Sequence, residues 1–435
     1  MKEERSLSLL QLMVNEGLVP SPEEEENRKT VIEKLKQIVV AWVKRVAWQR
    51  RLPKQDIAVT SATLLTYGSY GLGVHGSESD IDALCVGPYF ATMVNLDILN
   101  PVFLRDIDET GWKSLSRVLA NTQICRLVPD LKSMLRCVKF WAKRRGVYGN
   151  LNGFLGGIHL AILAAFVCQC DPFVGLSALI SHFFKKFAFW PWPRPVELQD
   201  ETLHPTLNPT ETRLYMPIRL PFSSYEYCHS NITKSTFYKI RTEFLRGHNL
   251  TKDLLKFDFD WHNVLEPFPY TKKYAWFLKI FLSASKQDEL GDWVGWIKSR
   301  FCCLLFKLEE VQGLCDPNPA EYIDVNIADP HVIFYWGLQA GKTNAIDIKS
   351  VKDVFWRNIS TGYQGPFGKI ELSIVQASQV PKSAQFDTLS QKKKACWKMM
   401  DYHQRRIPIY SQHVPQYIVG YVSTNGDPEY PSAGV

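Results

Sequence analysis

A multidomain α+β fold is predicted from three features: a long amphipathic helical stretch leading into two strand-like segments, a helical middle, and a third region where strands and helices alternate. With 435 residues the chain exceeds what one compact core usually holds, so two or three domains are expected. Hydrophobic residues make up 46% and charged residues 22%, with 13 Trp, 18 Tyr and 24 Phe, enough apolar surface to exclude a disordered chain. The formal charge of +7 supports an anionic partner.

The first helix is announced by Ser21-Pro22-Glu23-Glu24-Glu25-Glu26: a Ser that can cap, a Pro suited to the first helical position and an acidic first turn. Val31, Leu35, Ile38, Val39, Trp42, Val43 and Val46 recur three and four apart, predicting one buried face, and Pro53 follows the end. Two short apolar stretches, residues 58–67 and 81–86, flank a Gly/Ser-rich loop and are expected as strands. Helical spacing returns from about Trp112 to the neighbourhood of Trp190, and includes an apolar run from Ile158 to Val167 too short to span a bilayer. Prolines from Pro191 to Pro221 mark an irregular stretch, after which residues 230–255 read as helix. Across 270–380 the expected order is strand (Tyr274–Ser283), helix (Asp288–Glu310), strand (His331–Leu338), helix (Ile348–Ile359) and strand (Ile370–Gln376). Beyond Pro381 periodicity fades and a flexible extension is expected. The ten cysteines lack the paired spacing of a zinc site and read as reduced, buried thiols. Neither a secretion signal nor a membrane span is expected.

Chemistry concentrates in Tyr67-Gly-Ser-Tyr-Gly-Leu-Gly-Val-His-Gly-Ser-Glu-Ser-Asp80-Ile-Asp82. Nucleotidyl transfer requires a held triphosphate, neutralised charge and an attacking hydroxyl in line, work that two bridged metal ions perform together. Gly68 and Ser69, at a strand-to-helix turn, can offer backbone N–H groups and a hydroxyl to phosphate oxygens. Gly71, Gly73 and Gly76 keep the following turn permissive. In one strand, Asp80 and Asp82 would project both carboxylates to one face, as a hard oxygen-liganded Mg²⁺ site needs. Alone, an Asp-x-Asp is most often a solvated strand end and a Gly-Ser pair a turn. The ordered combination of strand, Gly-Ser, Gly-x-x-Gly-x-x-x-Asp-x-Asp and strand makes the motif specific.

With this loop the sequence resembles the eukaryotic nuclear poly(A) polymerases, the plant members most closely. The resemblance continues through Leu18-Val-Pro-Ser-Pro-Glu-Glu-Glu-Glu, Ala47-Trp-Gln-Arg-Arg-Leu-Pro, Leu135-Arg-Cys-Val-Lys139-Phe-Trp-Ala-Lys-Arg-Arg-Gly-Val-Tyr148, Gly153-Phe-Leu-Gly-Gly157-Ile158 and Asn231-Ile-Thr. It implies a truncated Pol-β-like nucleotidyltransferase domain over residues 1–110, a helical central domain over 111–255, a ferredoxin-like RNA-binding domain over 256–380 and a tail over 381–435. It implies that Asp80 and Asp82 are catalytic carboxylates binding Mg²⁺ or Mn²⁺. Tyr67, Gly68, Ser69, Gly76, Lys139, Tyr148, Gly157 and Ile158 would form the ATP site. Lys139 offers a compact positive charge to phosphate, and Tyr148 a π face or hydroxyl to the nucleotide. The plainer reading is a solvated helix lysine and a helix-end packing tyrosine.

The pattern also departs from the family's. A third catalytic aspartate is expected on a downstream strand within a Phe-x-Gly-x-x-x-Asp segment. Here Cys85-Val-Gly-Pro-Tyr-Phe-Ala-Thr-Met-Val runs almost directly into Asn95-Leu-Asp97-Ile-Leu-Asn-Pro-Val-Phe-Leu-Arg, so that segment is missing and Asp97 aligns beyond it. A hairpin near Gly87-Pro88 could still bring residues 91–97 alongside Asp80–Val86, at the ~5 Å of antiparallel neighbours. Ser114-Leu-Ser116 stands where the family usually has a nucleotide-reading Asn, and Pro129–Met134 is a few residues short.

The implied function is a polynucleotide adenylyltransferase: an RNA 3′ hydroxyl attacks the α-phosphate of ATP during mRNA 3′-end processing, alongside cleavage and polyadenylation factors. The alternatives are a catalytically impaired paralogue, splice form or gene model that keeps RNA or protein binding, and another transferase such as a uridylyltransferase or CCA-adding enzyme. Trp293, Trp296, Lys298 and Arg300 form a candidate RNA-stacking surface, against the plainer reading of helix core. The resemblance implies the nucleus. The cytoplasm is the alternative, because the basic targeting extension is reduced to Lys392-Lys-Lys and Arg405-Arg406.

Overall fold

The computed structural model describes residues 2–59, 62–77, 79–86, 109–198, 214–222, 226–311, 313–339 and 348–381. Asp97 and the tail beyond Pro381 lie outside the described residues. The described residues fall into two compact units, one within Gly17–Arg126 and the other made of residues up to Glu16 together with those from Leu127 to residue 381. Helix α1 (Lys2–Asn15) opens the chain and belongs to the second unit. The first contains α2 (Pro22–Gln49), α3 (Lys54–Val59), β1 (Thr63–Tyr67), the single turn α4 (Gly68–Gly71), β2 (Asp82–Val86) and nearly all of α5 (Glu109–Leu127).

Helix α2 starts as its sequence predicts. Ser21 Oγ accepts from the Glu24 amide at 3.2 Å and Glu24 Oε2 accepts from the Ser21 amide at 2.8 Å, a reciprocal capping box with Pro22 in the first turn. The predicted apolar face splits in two. Ile32 and Ala47 are buried and Val39, Val43 and Val46 half-buried, whereas Val31, Leu35, Ile38 and Trp42 form an adjacent stripe left 36–64% exposed. Among the described residues α2, 28 residues and about 42 Å long, packs against the six-residue α3 and holds the loop that follows His75, which cover only part of its length. The expected strand over 58–67 is shorter, because Ala58 and Val59 end α3.

In the second unit α6 (Lys132–Arg144), α7 (Gly157–Cys170), α8 (Leu176–Ala188) and α9 (Lys234–Thr251) form a helical layer. Helix α7 carries the long apolar run and is apolar on all sides because it is packed on all sides, with Leu160–Ala165 and Val167 buried. Trp141 of α6 meets Phe183, Phe184 and Phe244 at ring-centroid distances of 5.0–6.1 Å. Helices α8 and α9 approach so closely at Gly247 that a Cβ there would overlap the Phe184 ring. Helix α1, which the sequence reading did not anticipate, buries Leu9, Leu12 and Met13 in this unit.

The chain continues through α10 (Trp261–Leu265), α11 (Tyr270–Lys273), β3 (Trp276–Ser283), α12 (Gln287–Ser299), α13 (Phe301–Val311), β4 (Cys315–Asp316), β5 (His331–Leu338), α14 (Ile348–Ser360) and β6 (Lys369–Gln376). The sheet order is β4-β5-β3-β6, antiparallel at every pairing. The helix expected over Asp288–Glu310 is two helices, interrupted at Arg300. Trp293, Ile297, Phe301, Leu304 and Phe355 pack from the helices onto Leu278, Ile280, Phe334 and Trp336 of the sheet. Trp293 is therefore core and leaves the candidate RNA surface, whereas Trp296 is half-buried, donates to the Ile359 carbonyl at 2.7 Å and carries the Arg300 guanidinium on its ring.

Buried charge joins the helical layer to the sheet. Lys239 Nζ of α9 donates to Asp316 Oδ1 of β4 at 2.7 Å and to the Tyr270 hydroxyl at 2.8 Å, and the Tyr274 hydroxyl donates to Asp316 Oδ2 at 2.8 Å. Arg145, just past α6, donates to both carboxylate oxygens of Glu243 at 2.7 and 3.1 Å and to the carbonyls of Glu266 and Pro267. Burial pulls the Lys239 pKa down and pushes that of Asp316 up, and their direct contact opposes both shifts. Nearby, Glu309 of α13 closes the start of α9 by accepting from Thr233 Oγ1 at 2.6 Å and the Ser235 amide at 2.7 Å.

All cysteines among the described residues are free; Cys137, Cys228 and Cys315 are buried as expected, but Cys85, Cys125, Cys170 and Cys303 are exposed. No described helix is long and apolar enough to cross a membrane.

Lys239→Met is expected to destabilise the protein by about 3–5 kcal/mol, because Asp316 stays buried without its counter-charge. Combining it with Asp316→Leu should recover most of that loss in urea denaturation. His159 supplies a second handle. Its Nδ1 accepts from the Gly156 amide at 2.8 Å at the start of α7, and burial brings its pKa down to about 4 from 6.5. The unfolded chain therefore binds this proton first as pH falls, so the stabilisation is full above pH 6.5 and is lost toward pH 4, by on the order of 3 kcal/mol. His159→Asn should flatten the slope of unfolding free energy across that window.

Candidate active site

Strand β1 runs directly into the turn that begins at Gly68. Gly68 has φ +64°, a conformation L side chains rarely adopt, and a Cβ on it would overlap the Asp82 carboxylate. Glycine is thus required twice, for backbone and for close approach. The contact follows from register: Tyr67 pairs with Asp82, so the residue that leaves β1 meets the residue that opens β2. Asn121 Nδ2 of α5 donates to the Gly68 carbonyl at 3.0 Å, and the Leu72 amide reaches the same oxygen at 3.2 Å.

The rest of the loop is held by α2. His75 is buried, with Nε2 2.7 Å from Glu25 Oε2. Arg28 donates through Nη1 to the Ser79 carbonyl at 2.7 Å and through Nη2 to the carbonyls of Ser77 and Gly76 at 2.7 and 3.0 Å. Ser79 Oγ in turn accepts from the Gly76 amide at 2.9 Å. Asp80 follows immediately and is exposed, while Asp82 is half-buried.

Asp80 therefore does not share a strand with Asp82, contrary to the expectation of a pleat that aligns the two. Continuing the Tyr67–Asp82 register would pair Asp80 with Ser69, and by Ser69 the chain has already turned into α4. One carboxylate comes from the loop and the other from the strand end. Both are hard oxygen donors, and Mg²⁺ ordinarily takes one or two carboxylates while phosphates and water complete its shell, so the pair fits that ion. Among the described residues no group of three or more His, Cys, Asp or Glu could hold a metal.

Tyr67, Gly68, Ser69, Gly76, Asp80 and Asp82 lie in one unit, and Lys139, Tyr148, Gly157 and Ile158 in the other. Within the second, Lys139 is half-buried on α6 and Tyr148 follows that helix, bridging to Leu155. The Tyr148 hydroxyl lies 3.6 Å from where a Cβ would stand on Gly157, which opens α7 ahead of Ile158. Lys143 Nζ sits 5.5 Å from the Tyr148 ring centroid. Tyr148 and the Gly157–Ile158 turn are thus brought together, steadied by the bond from Gly156 to His159.

Sequence reasoning missed Arg28, His75, Asn121 and His159. The available signal was the spacing of Glu25, Arg28 and Ile32, which share one face of α2. Charged residues on a helix are usually solvated, so the spacing alone did not single them out.

The family model for the poly(A) polymerase nucleotidyltransferase domain matches residues 2–96, and that for the poly(A) polymerase central domain matches 130–267. Nuclear poly(A) polymerase 1 of Arabidopsis thaliana is 32% identical over 79% of this chain, and the poly(A) polymerase of Dictyostelium discoideum 31% identical over 70%; the chain spans 58% and 45% of their lengths. A solved structure of a cytoplasmic RNA terminal U-transferase covers 61% of this chain and 99% of its own, with a TM-score of 0.43 and 16% identity, too loose a likeness to carry weight. Nuclear poly(A) polymerase 3 of Arabidopsis thaliana is 50% identical over 481 positions, covering 96% of this chain and 94% of that protein. Since 96% of 435 residues is about 418, about 63 of those 481 positions have no residue here. Identity at half of the aligned positions, along nearly the whole of both proteins, makes this chain a member of the poly(A) polymerase family of nucleotidyltransferases.

Proposed function

We propose that this chain adds AMP from ATP to RNA 3′ ends in mRNA polyadenylation, with Asp80 and Asp82 holding the divalent metal, Mg²⁺ or Mn²⁺. The observation that carries this reading is the seating of the Asp82 carboxylate against Gly68, which puts a metal-binding group in contact with the phosphate turn. The bound metal would neutralise the triphosphate and activate the attacking hydroxyl. Gly68 and Ser69 would offer an amide and a hydroxyl to phosphate, with Tyr67 and Gly76 beside them. Lys139 would add a point charge, and Tyr148 with Gly157 and Ile158 a wall against the nucleotide.

Residues 1–110 would form the catalytic domain and 111–255 the central domain. For 256–380 as a ferredoxin-like RNA-binding domain, support comes from strand and helix alternating as β-α-β-β-α-β in the sheet order β4-β5-β3-β6. The word nuclear in the names of the Arabidopsis relatives supports the nucleus as the compartment, where cleavage and polyadenylation factors would be partners.

A second reading is a catalytically impaired relative that keeps RNA binding. It is favoured by the roughly 63 missing positions, because the resemblance puts the family's third carboxylate in a segment that is missing just before Asn95. Purified chain with oligo(A), ATP and Mg²⁺ separates the two. On the first reading an ATP-dependent ladder forms, ATP outcompetes the other nucleoside triphosphates, and Asp82→Asn slows extension by about 100-fold or more. On the second, no ladder forms even at high protein concentration, and RNA retention is the same in Asp80→Ala.

A further inference from the structure

We propose that Arg28 is a positioning residue for the metal site, acting through the loop that delivers Asp80. The inference rests on Asp80 and Asp82 holding the divalent metal. Its geometry is a single guanidinium that satisfies three carbonyls, those of Gly76, Ser77 and Ser79, all within 3.0 Å and the last immediately before Asp80. The loop has little stiffness of its own, since Gly73, Gly76, Ser77 and Ser79 carry small or no side chains. Its shape has to be imposed from outside.

Arg28 suits that task because the guanidinium fork is planar and donates in several directions at once, whereas an ammonium is a compact point charge. One turn earlier on the same face of α2, Glu25 pairs with buried His75, whose ring lies 4.8 Å from that of Tyr70 in the phosphate turn. The helix start is itself pinned by the Ser21 capping box. Helix α2 therefore grips the loop at His75 and again at Gly76, Ser77 and Ser79, and Asp80 directly follows that grip.

The test is Mn²⁺ binding to the full chain in the presence of ATP, followed by the loss of the free Mn²⁺ electron-spin signal, with hydrogen exchange across residues 73–83 as the second readout. Arg28→Met should weaken Mn²⁺ binding by about 10-fold or more, the range typical of outer-shell partners, and speed exchange in that segment while other segments are unchanged. Arg28→Lys, which keeps the charge and most of the stem, should fall between it and the parent. Should Arg28→Met fail to fold, Arg28→Lys alone decides: parental affinity and parental exchange overturn the proposal. Parental affinity in both variants, with binding lost in Asp80→Asn, overturns the role of Arg28 and leaves the site reading intact. Unchanged binding in Asp80→Asn overturns the site reading itself.

Discussion

The buried pair of Lys239 and Asp316 is the joint on which the larger unit depends. Taking two charges out of water is strongly unfavourable, and only near-complete partnering offsets it. Tyr270 and Tyr274 complete the pair, and the Phe268 and Tyr270 ring centroids lie 4.1 and 4.4 Å from the Lys239 ammonium. Each partner comes from a different element, so the network forms only when α9, β4 and the 268–274 segment are all in place. Arg145 and Glu243 extend it to the end of α6. The helical layer that bears Tyr148 and Gly157 is thereby fixed against the sheet.

The phosphate turn works on a smaller scale and by a different principle. There one missing side chain, at Gly68, lets the Asp82 carboxylate come against the backbone. Such a close approach is stable only if the surrounding backbone cannot drift. Asn121 holds the Gly68 carbonyl, and Arg28 with the Glu25–His75 pair holds the second half of the loop. The geometry of the turn is therefore built from a permissive local sequence and stiff neighbours from α2 and α5.

Helix α2 keeps apolar residues over two adjacent stripes, and among the described residues one of them, Val31, Leu35, Ile38 and Trp42, stays exposed. Nuclear poly(A) polymerase 3 has about 63 aligned positions with no residue in this chain.

Much of this was legible in the residues themselves. The Ser21 capping box, the limits of β5 and the apolar character of α7 depend on neighbours within about four residues, a range over which side-chain chemistry and helical or strand periodicity act directly. The order of glycines and aspartates from Tyr67 to Asp82 likewise identified the phosphate turn and the metal carboxylates as candidates. Helix α1 escaped notice because its buried face of Leu9, Leu12 and Met13 is narrow. The exposed stripe of α2 was misread because periodicity reports that a face is apolar and not whether a neighbour covers it. Only tertiary structure decided that Asp80 stands outside the strand, that Arg28 and not a neighbouring lysine grips the loop, and that Lys239 meets Asp316 across 77 positions. Those outcomes rest on strand register and on packing between distant segments, where the chain's local preferences are equally compatible with several arrangements and burial selects one.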